Sequence, residues 1–216
     1  MDPNQVDKEL YTTKLKALVE LVEEEKWPDF GFLLFRTYFD DEALWDNFQE
    51  QQNLIMDEAI EAAPTESGLS RISDKMFLKQ VSDEAMKNTP PEGVALAYRI
   101  CAEPDEIEGP ENDLEPGLHT SMCLLVDEEC MRSVIDWKRE GAPLPFVKAI
   151  DVTLGEEMLS YSGAFKVAIA SLFTRFYWAQ FECDETADLV PDGDTVWDGT
   201  FDAQKDWEKI DRLLNR

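Results

Sequence analysis

Apolar and polar positions alternate along the chain in two rhythms, one helical and one of strands. Val6, Leu10, Leu15, Leu18, Val19 and Val22 recur near helical spacing with Lys and Glu between them, which predicts a helix over 6–25. Pro28 ends it, because the residue before a proline is pushed out of the α region. Phe32 to Phe39 is apolar on both faces apart from Arg36 and Thr37, the pattern of a central strand covered on both sides. Asp40 then serves as the expected N-cap of a second helix, with Asp41 and Glu42 where a helix N-terminus favours negative charge. Leu44, Trp45, Phe48, Ile55, Ala59 and Ala62 form its apolar stripe, and Pro64 ends it.

The rest of the chain continues the alternation. A polar connector over 65–74 leads to a second strand at 76–81. Thr89-Pro90-Pro91 opens a short helix over 92–101, since proline is tolerated in a first turn; Val94, Ala97, Tyr98 and Cys101 form its inward side. Residues 102–118 hold many carboxylates and three prolines and nothing that builds a core, so they read as a solvated connector. Ser121 to Val126 is another buried strand. It runs into Asp127-Glu128-Glu129 and an amphipathic helix with Cys130, Met131, Val134, Ile135 and Trp137. Strands over 146–152 and 164–169 follow, then an aromatic helical stretch from Ser171 to Phe181.

Residues 121–137 repeat the design of residues 30–62: apolar strand, acidic cap, amphipathic helix. Two such units point to an α+β fold with a mixed or antiparallel sheet, helices packed on it, and ferredoxin-like, split βαβ elements. Residues 1–181 read as a single α+β domain with an N-terminal helix. After Cys183 carboxylates dominate, with isolated Val190, Trp197 and Phe201. Residues 182–216 therefore read as an acidic C-terminal arm, ending in a short helix over 202–214, packed on the domain.

Charge narrows the function classes. The 216 residues carry 47 acidic and 20 basic side chains, a net charge of -27. Such a chain repels nucleic-acid phosphate and anionic membrane and attracts basic partners or cations. No apolar run is long enough to span a membrane, and the N-terminus has no secretory pattern. Cys101, Cys123, Cys130 and Cys183 match no zinc or redox spacing, so reduced thiols in the cytoplasm are expected.

Few residues invite chemistry. His119 is the sole histidine, and Cys123, four residues along a strand, lies ~13 Å away, too far for a Cys–His pair. Asp188, Asp192, Asp194 and Asp198 around Gly193 fail the register of a calcium loop. Helix capping explains Asp40-Asp41-Glu42 and Asp127-Glu128-Glu129 better than paired catalytic carboxylates do. No catalytic residue, metal ligand set or cofactor motif emerges. Arg36 stands out as a charge inside an apolar strand, where it must be paired or line a cavity. Lys79, Lys148 and Lys166 also fall on strands. If they share a face with Arg36, these four form an anionic-ligand pocket in a very acidic protein.

The blocks Gly31-Phe32, Arg36-Thr37-Tyr38, Asp40-Asp41, Trp45 and Phe48, and later Leu124-Leu125-Val126-Asp127-Glu128-Glu129, resemble those of a group of uncharacterised ascomycete fungal proteins. The first block is out of step with the group's spacing by a residue or so in places. The 146–152 strand and the aromatic block at 165–178 fit as well, so the likeness covers roughly residues 27–180. It implies a fungal origin and a shared fold, and no activity. Two functional expectations stand together: an acidic intracellular binding protein whose partners are basic proteins, and a binder or enzyme taking a small anionic ligand over the sheet at Arg36.

Overall fold

The computed structural model describes residues 3–102, 114–156, 158–183, 186–191 and 193–200, with backbone alone for 3–8. Helix α1 (Pro3–Glu24) precedes strand β1 (Phe30–Arg36), and helix α2 (Glu42–Glu61) leads through short 3-10 turns to β2 (Met76–Val81). Helix α3 (Pro91–Ala102), β3 (Met122–Val126), the short helix α4 (Glu128–Ser133), β4 (Phe146–Asp151) and β5 (Ala164–Ala168) follow. A π-helical turn (Leu172–Phe176) runs directly into α5 (Tyr177–Glu182). No helix among the described residues is long and apolar enough to cross a membrane.

The five strands form one mixed sheet in the order β2-β1-β3-β4-β5. β1 is parallel to both β2 and β3, whereas β3–β4 and β4–β5 are antiparallel. The fold is thus α+β with a mixed sheet and packed helices, and it differs from the ferredoxin-like expectation. A split βαβ unit places an antiparallel strand between its two parallel ones; here the strand between β2 and β3 is β1, parallel to both. The two crossovers run in opposite directions from one another. Two crossovers of the same hand that run in opposite directions put their helices, α2 and α3, on opposite faces. The packing follows: Phe30, Phe32 and Leu34 of β1 join α2 residues in the larger core, while Leu33 and Phe35 join Val94, Ala95 and Tyr98 of α3 in the smaller one.

All seven residues of β1 are buried, as a two-faced apolar strand requires. Its first residues sit in an aromatic cluster. Phe32 stacks on Phe176 at 5.7 Å and meets Tyr177 edge-on at 5.6 Å, and Phe30 meets Tyr177 at 5.0 Å. The Tyr177 hydroxyl donates to the Gly117 carbonyl at 2.7 Å, and Gly31 N–H donates to that same oxygen at 2.9 Å. One carbonyl so ties α5 to the start of β1.

Residues near 197 cover the outer edge of β5. Trp197 N–H donates to the Lys166 carbonyl and Ala168 N–H to the Trp197 carbonyl, both at 2.8 Å, and the Trp197 ring packs on Phe176. Arg175 and Ser171 hold the Gly199 and Asp198 carbonyls beyond it. The expected helix over 202–214 and most of the 102–118 connector lie outside the described residues, but the connector's end is no solvated loop: Leu114 and Leu118 are buried in the smaller core.

Candidate functional site

The loops after β1 and β3 both turn toward the α2 face. α3 begins on the other face, and between them a crevice of about 700 Å³ opens at the carboxyl ends of the parallel strands. Open α/β sheets bind ligands outside the carboxyl ends of their strands. Its walls are Thr37, Tyr38 and Asp40 after β1, Asn88 to Pro91 before α3, Asp127 to Glu129 after β3, and Leu125 and Lys148 on the floor.

Two contacts hold the 84–91 wall against β1. Asn88 N–H donates to the Thr37 carbonyl at 2.8 Å, and the Lys87 ammonium pairs with Asp40. Asn88 takes φ 57°, a left-handed conformation that asparagine tolerates better than most residues. The expected N-cap of α2, Asp40, is therefore not the cap. Asp41 Oδ1 accepts from Leu44 N–H at 2.9 Å, which leaves Asp40 on the crevice rim for Lys87. The helix begins at Glu42, and Asp41 has the extended backbone of an N-cap, φ -144° and ψ 96°.

The opposite wall is a chain of charges. Asp127 caps α4 by accepting from Cys130 N–H at 3.0 Å, and its other oxygen lies 2.5 Å from the Lys148 ammonium. Lys148 also meets Glu129 at 2.9 Å; Glu129 reaches Lys166 at 2.7 Å; Lys166 reaches Asp194 at 2.8 Å. Lys148 and Lys166 stand directly opposite each other on β4 and β5, an arrangement that repels unless a carboxylate sits between them. Glu129 is that carboxylate. Burial pushes the Asp127 carboxyl up, but the hydrogen bonds from Lys148 and Cys130 outweigh it and hold it below its usual range. Hydrogen bonds from Lys148 and Lys166 lower Glu129. Burial opposes the charge on Lys148, and Asp127 and Glu129 overcome it, so its ammonium is held more firmly than usual.

These shifts fix a pH dependence. A carboxylate whose folded pKa is depressed contributes fully above its ordinary pKa, and that contribution is lost as pH falls through the folded value. Glu129→Gln is expected to cost about 1 kcal/mol at pH 7, since Glu129 is half exposed and its bridge is screened. Urea midpoints of the two chains should converge only as pH falls below the ordinary glutamate range. A difference that stays constant between pH 7 and 3 would assign the loss to packing instead.

The four basic residues singled out from sequence do not converge on one pocket. Lys79 pairs in register with Leu33, and Lys148 with Leu125, both residues of the α3-side core, so Lys79, Lys148 and Lys166 share that face. Lys79 lies three strands away from Lys148, about 14 Å. Arg36 pairs with Val126 on the α2 face. Only 4% exposed, it donates to Glu42 through two bonds of 2.7 and 3.1 Å and to the Tyr38 carbonyl at 2.8 Å. Its guanidinium also lies over the Phe39 and Trp45 rings, at 4.4 and 4.8 Å. The residues sequence reasoning passed over are the cap carboxylates themselves. Asp40, Asp127, Glu128 and Glu129 cap or flank helices and line the crevice as well. Their position at the end of the two central strands was the available signal.

The crevice is rich in carboxylates, and its side-chain donors other than Lys148 are the neutral hydroxyl and amide groups of Thr37, Tyr38, Asn88 and Thr89. A helix N-terminus ordinarily offers free N–H groups to an anion. Here Pro90 and Pro91 have none, and the N–H groups of Gly93 and Val94 donate to the Pro90 carbonyl. Lys148 is neutralised by two carboxylates. Among the described residues, no group of three or more His, Cys, Asp or Glu side chains is placed to hold a metal ion. The arrangement suits a cationic, hydrogen-bond-donating group such as a lysine or arginine side chain.

No protein-family model, curated protein or solved structure matches the chain.

Proposed function

We propose that this is an acidic binding protein, cytoplasmic and of fungal type, that takes a basic segment of a partner protein into the crevice between the 37–40, 88–91 and 127–129 loops. One observation carries the reading: four carboxylates, Asp40, Asp127, Glu128 and Glu129, rim a concave site whose only lysine on the floor is already paired. The net charge of -27 adds long-range attraction for the same partners, and the carboxylates of an acidic arm over 182–216, following a single domain of 1–181, contribute to that charge. Four free cysteines accord with a reducing compartment. The residues on which an anionic-ligand reading rests are engaged otherwise, Arg36 with Glu42 and the lysines of β4 and β5 with Asp127, Glu129 and Asp194. The rim carboxylates are paired as well, Asp40 with Lys87 and Glu128 with Arg132, but in exposed bridges that a partner's cations can replace, so the net charge of -27 favours the basic partner.

The test is a labelled Lys/Arg-rich peptide titrated into the protein at increasing salt. Binding is expected to weaken steeply with ionic strength. The double variant Asp40→Asn, Glu128→Gln, which leaves the Asp127 cap intact, is expected to bind about tenfold more weakly, the effect of losing two charge-assisted contacts. An unchanged affinity in that variant would transfer the binding to the acidic surface at large. No binding at low salt would end the proposal.

A further inference from the structure

The two edges of the sheet are treated differently. The β5 edge is covered by the chain itself, through the paired backbone at Trp197. The β2 edge pairs only inward, with β1, and no described segment lies along its outer side. The Phe77 carbonyl points at β1, only 2.0 Å from where a Cβ on Gly31 would sit. Peptide groups alternate in direction along a strand, so those of Leu78 and Gln80 face the open side. An open row of donors and acceptors is a template for another strand.

The side chains on this edge run against the charge of the molecule. Phe77 and Lys79 share one face of β2, and Lys75 immediately precedes the strand. Phe77 is 43% exposed, one of the large apolar side chains left open to solvent. Lys75 and Lys79 enter none of the ion pairs among the described residues. In a chain with 47 acidic and 20 basic residues, cations without a carboxylate partner on either side of an exposed phenylalanine call for an occupant. A second copy of the chain does not fit, because pairing β2 with β2 sets lysines against lysines inside a complex of two strongly acidic bodies. An acidic strand does fit: its backbone completes the sheet, its carboxylates meet Lys75 and Lys79, and an apolar residue between them covers Phe77. The repulsion from the rest of the protein is screened beyond about 8 Å at physiological salt, so the lysines in contact govern.

We infer that the β2 edge is a docking strand for an extended acidic segment of another protein, bound by strand addition and separate from the crevice that takes a basic partner. The probe is a labelled ten-residue peptide, Glu-Thr-Val-Thr-Glu-Thr-Val-Thr-Glu-Thr, whose one face reads Glu, Val, Glu, compared at 150 mM salt with its Gln-for-Glu version and with an Nα-methylated version that cannot form a ladder on one side. The acidic peptide is expected to bind at least tenfold tighter than the Gln version. Lys75→Glu, Lys79→Glu should abolish that preference, and methylation of the sheet-facing edge should abolish binding. The same variant should leave binding of the basic peptide to the crevice unweakened, which separates failure of one site from failure of the other. Four results overturn the inference: no binding of the acidic peptide, binding indifferent to methylation, β2-dependent dimerisation by sedimentation, or binding only after residues 201–216 are removed. The last would assign the edge to this chain's own end.

Discussion

Gly31→Ala is expected to destabilise the chain by at least about 3 kcal/mol, and to reduce the yield of folded protein. Gly31 is the second residue of the central strand and takes φ 148°, a region that side chains avoid. A Cβ there would lie 2.0 Å from the Phe77 carbonyl oxygen and 2.9 Å from Phe173 Cε1. The nearer atom is backbone in the neighbouring strand, so relief requires β2 to move, and with it the β1–β2 ladder. Gly31 N–H also anchors the Gly117 carbonyl that Tyr177 holds, so a shift of residue 31 loosens α5 too. The measurement is the urea midpoint against wild type, with the amide-exchange protection of β2 as a second readout. A stability within about 0.5 kcal/mol of wild type would mean that β2 is free to move, and that β1 is less central than its burial implies.

Arg36→Ala is expected to cost about 3 kcal/mol as well, and to act through stability rather than through ligand affinity. The substitution removes the stem packed in the α2-side core, the stacking over Phe39 and Trp45, the bond to the Tyr38 carbonyl and both bonds to Glu42. Glu42 is left in solvent, where it is 67% exposed, so no buried charge is stranded. Arg36→Lys is expected to recover only part of the loss, because an ammonium cannot make the two-pronged contact or stack as a planar guanidinium does. Glu42→Gln should cost less than Arg36→Ala, and its effect should fade in acid, since the Arg36 hydrogen bond lowers the Glu42 carboxyl. Thermal melting of the three variants checks the ranking. An Arg36→Ala chain as stable as wild type but no longer stabilised by an anionic metabolite would restore Arg36 as a ligand residue.

Periodicity located every strand of the sheet to within a residue or two at most ends, because burial on two faces, or on alternate positions, is written locally. It also located α1, α2 and α3. Their caps were less legible. Asp40 and Asp41 are both competent caps; in the fold Asp41 accepts from Leu44 N–H while Asp40 pairs with Lys87, 47 residues on. In α3 the inward face includes Ala95, and Cys101 is exposed, a rotation set by how the helix lies on β1 and β3. Arg36 was recognisable as a charge needing a partner; its partner, six residues on, was visible in sequence only as a helix-capping glutamate.

What the sequence alone determined about this protein is local: two-faced strands, acidic helix starts, a strongly negative surface and the lack of any strong catalytic motif. Strand order and face were decided only by the tertiary structure. Whether Lys79, Lys148 and Lys166 meet Arg36 depends on which strands are neighbours and in which register. That is a matter of contacts between residues tens of positions apart, which no local pattern encodes. The same long-range pairing puts Lys148 opposite Lys166, calls Glu129 between them and opens the crevice that gathers four helix-start carboxylates. It also leaves β2 at an edge, with Lys79 and Phe77 exposed and Lys75 just before it.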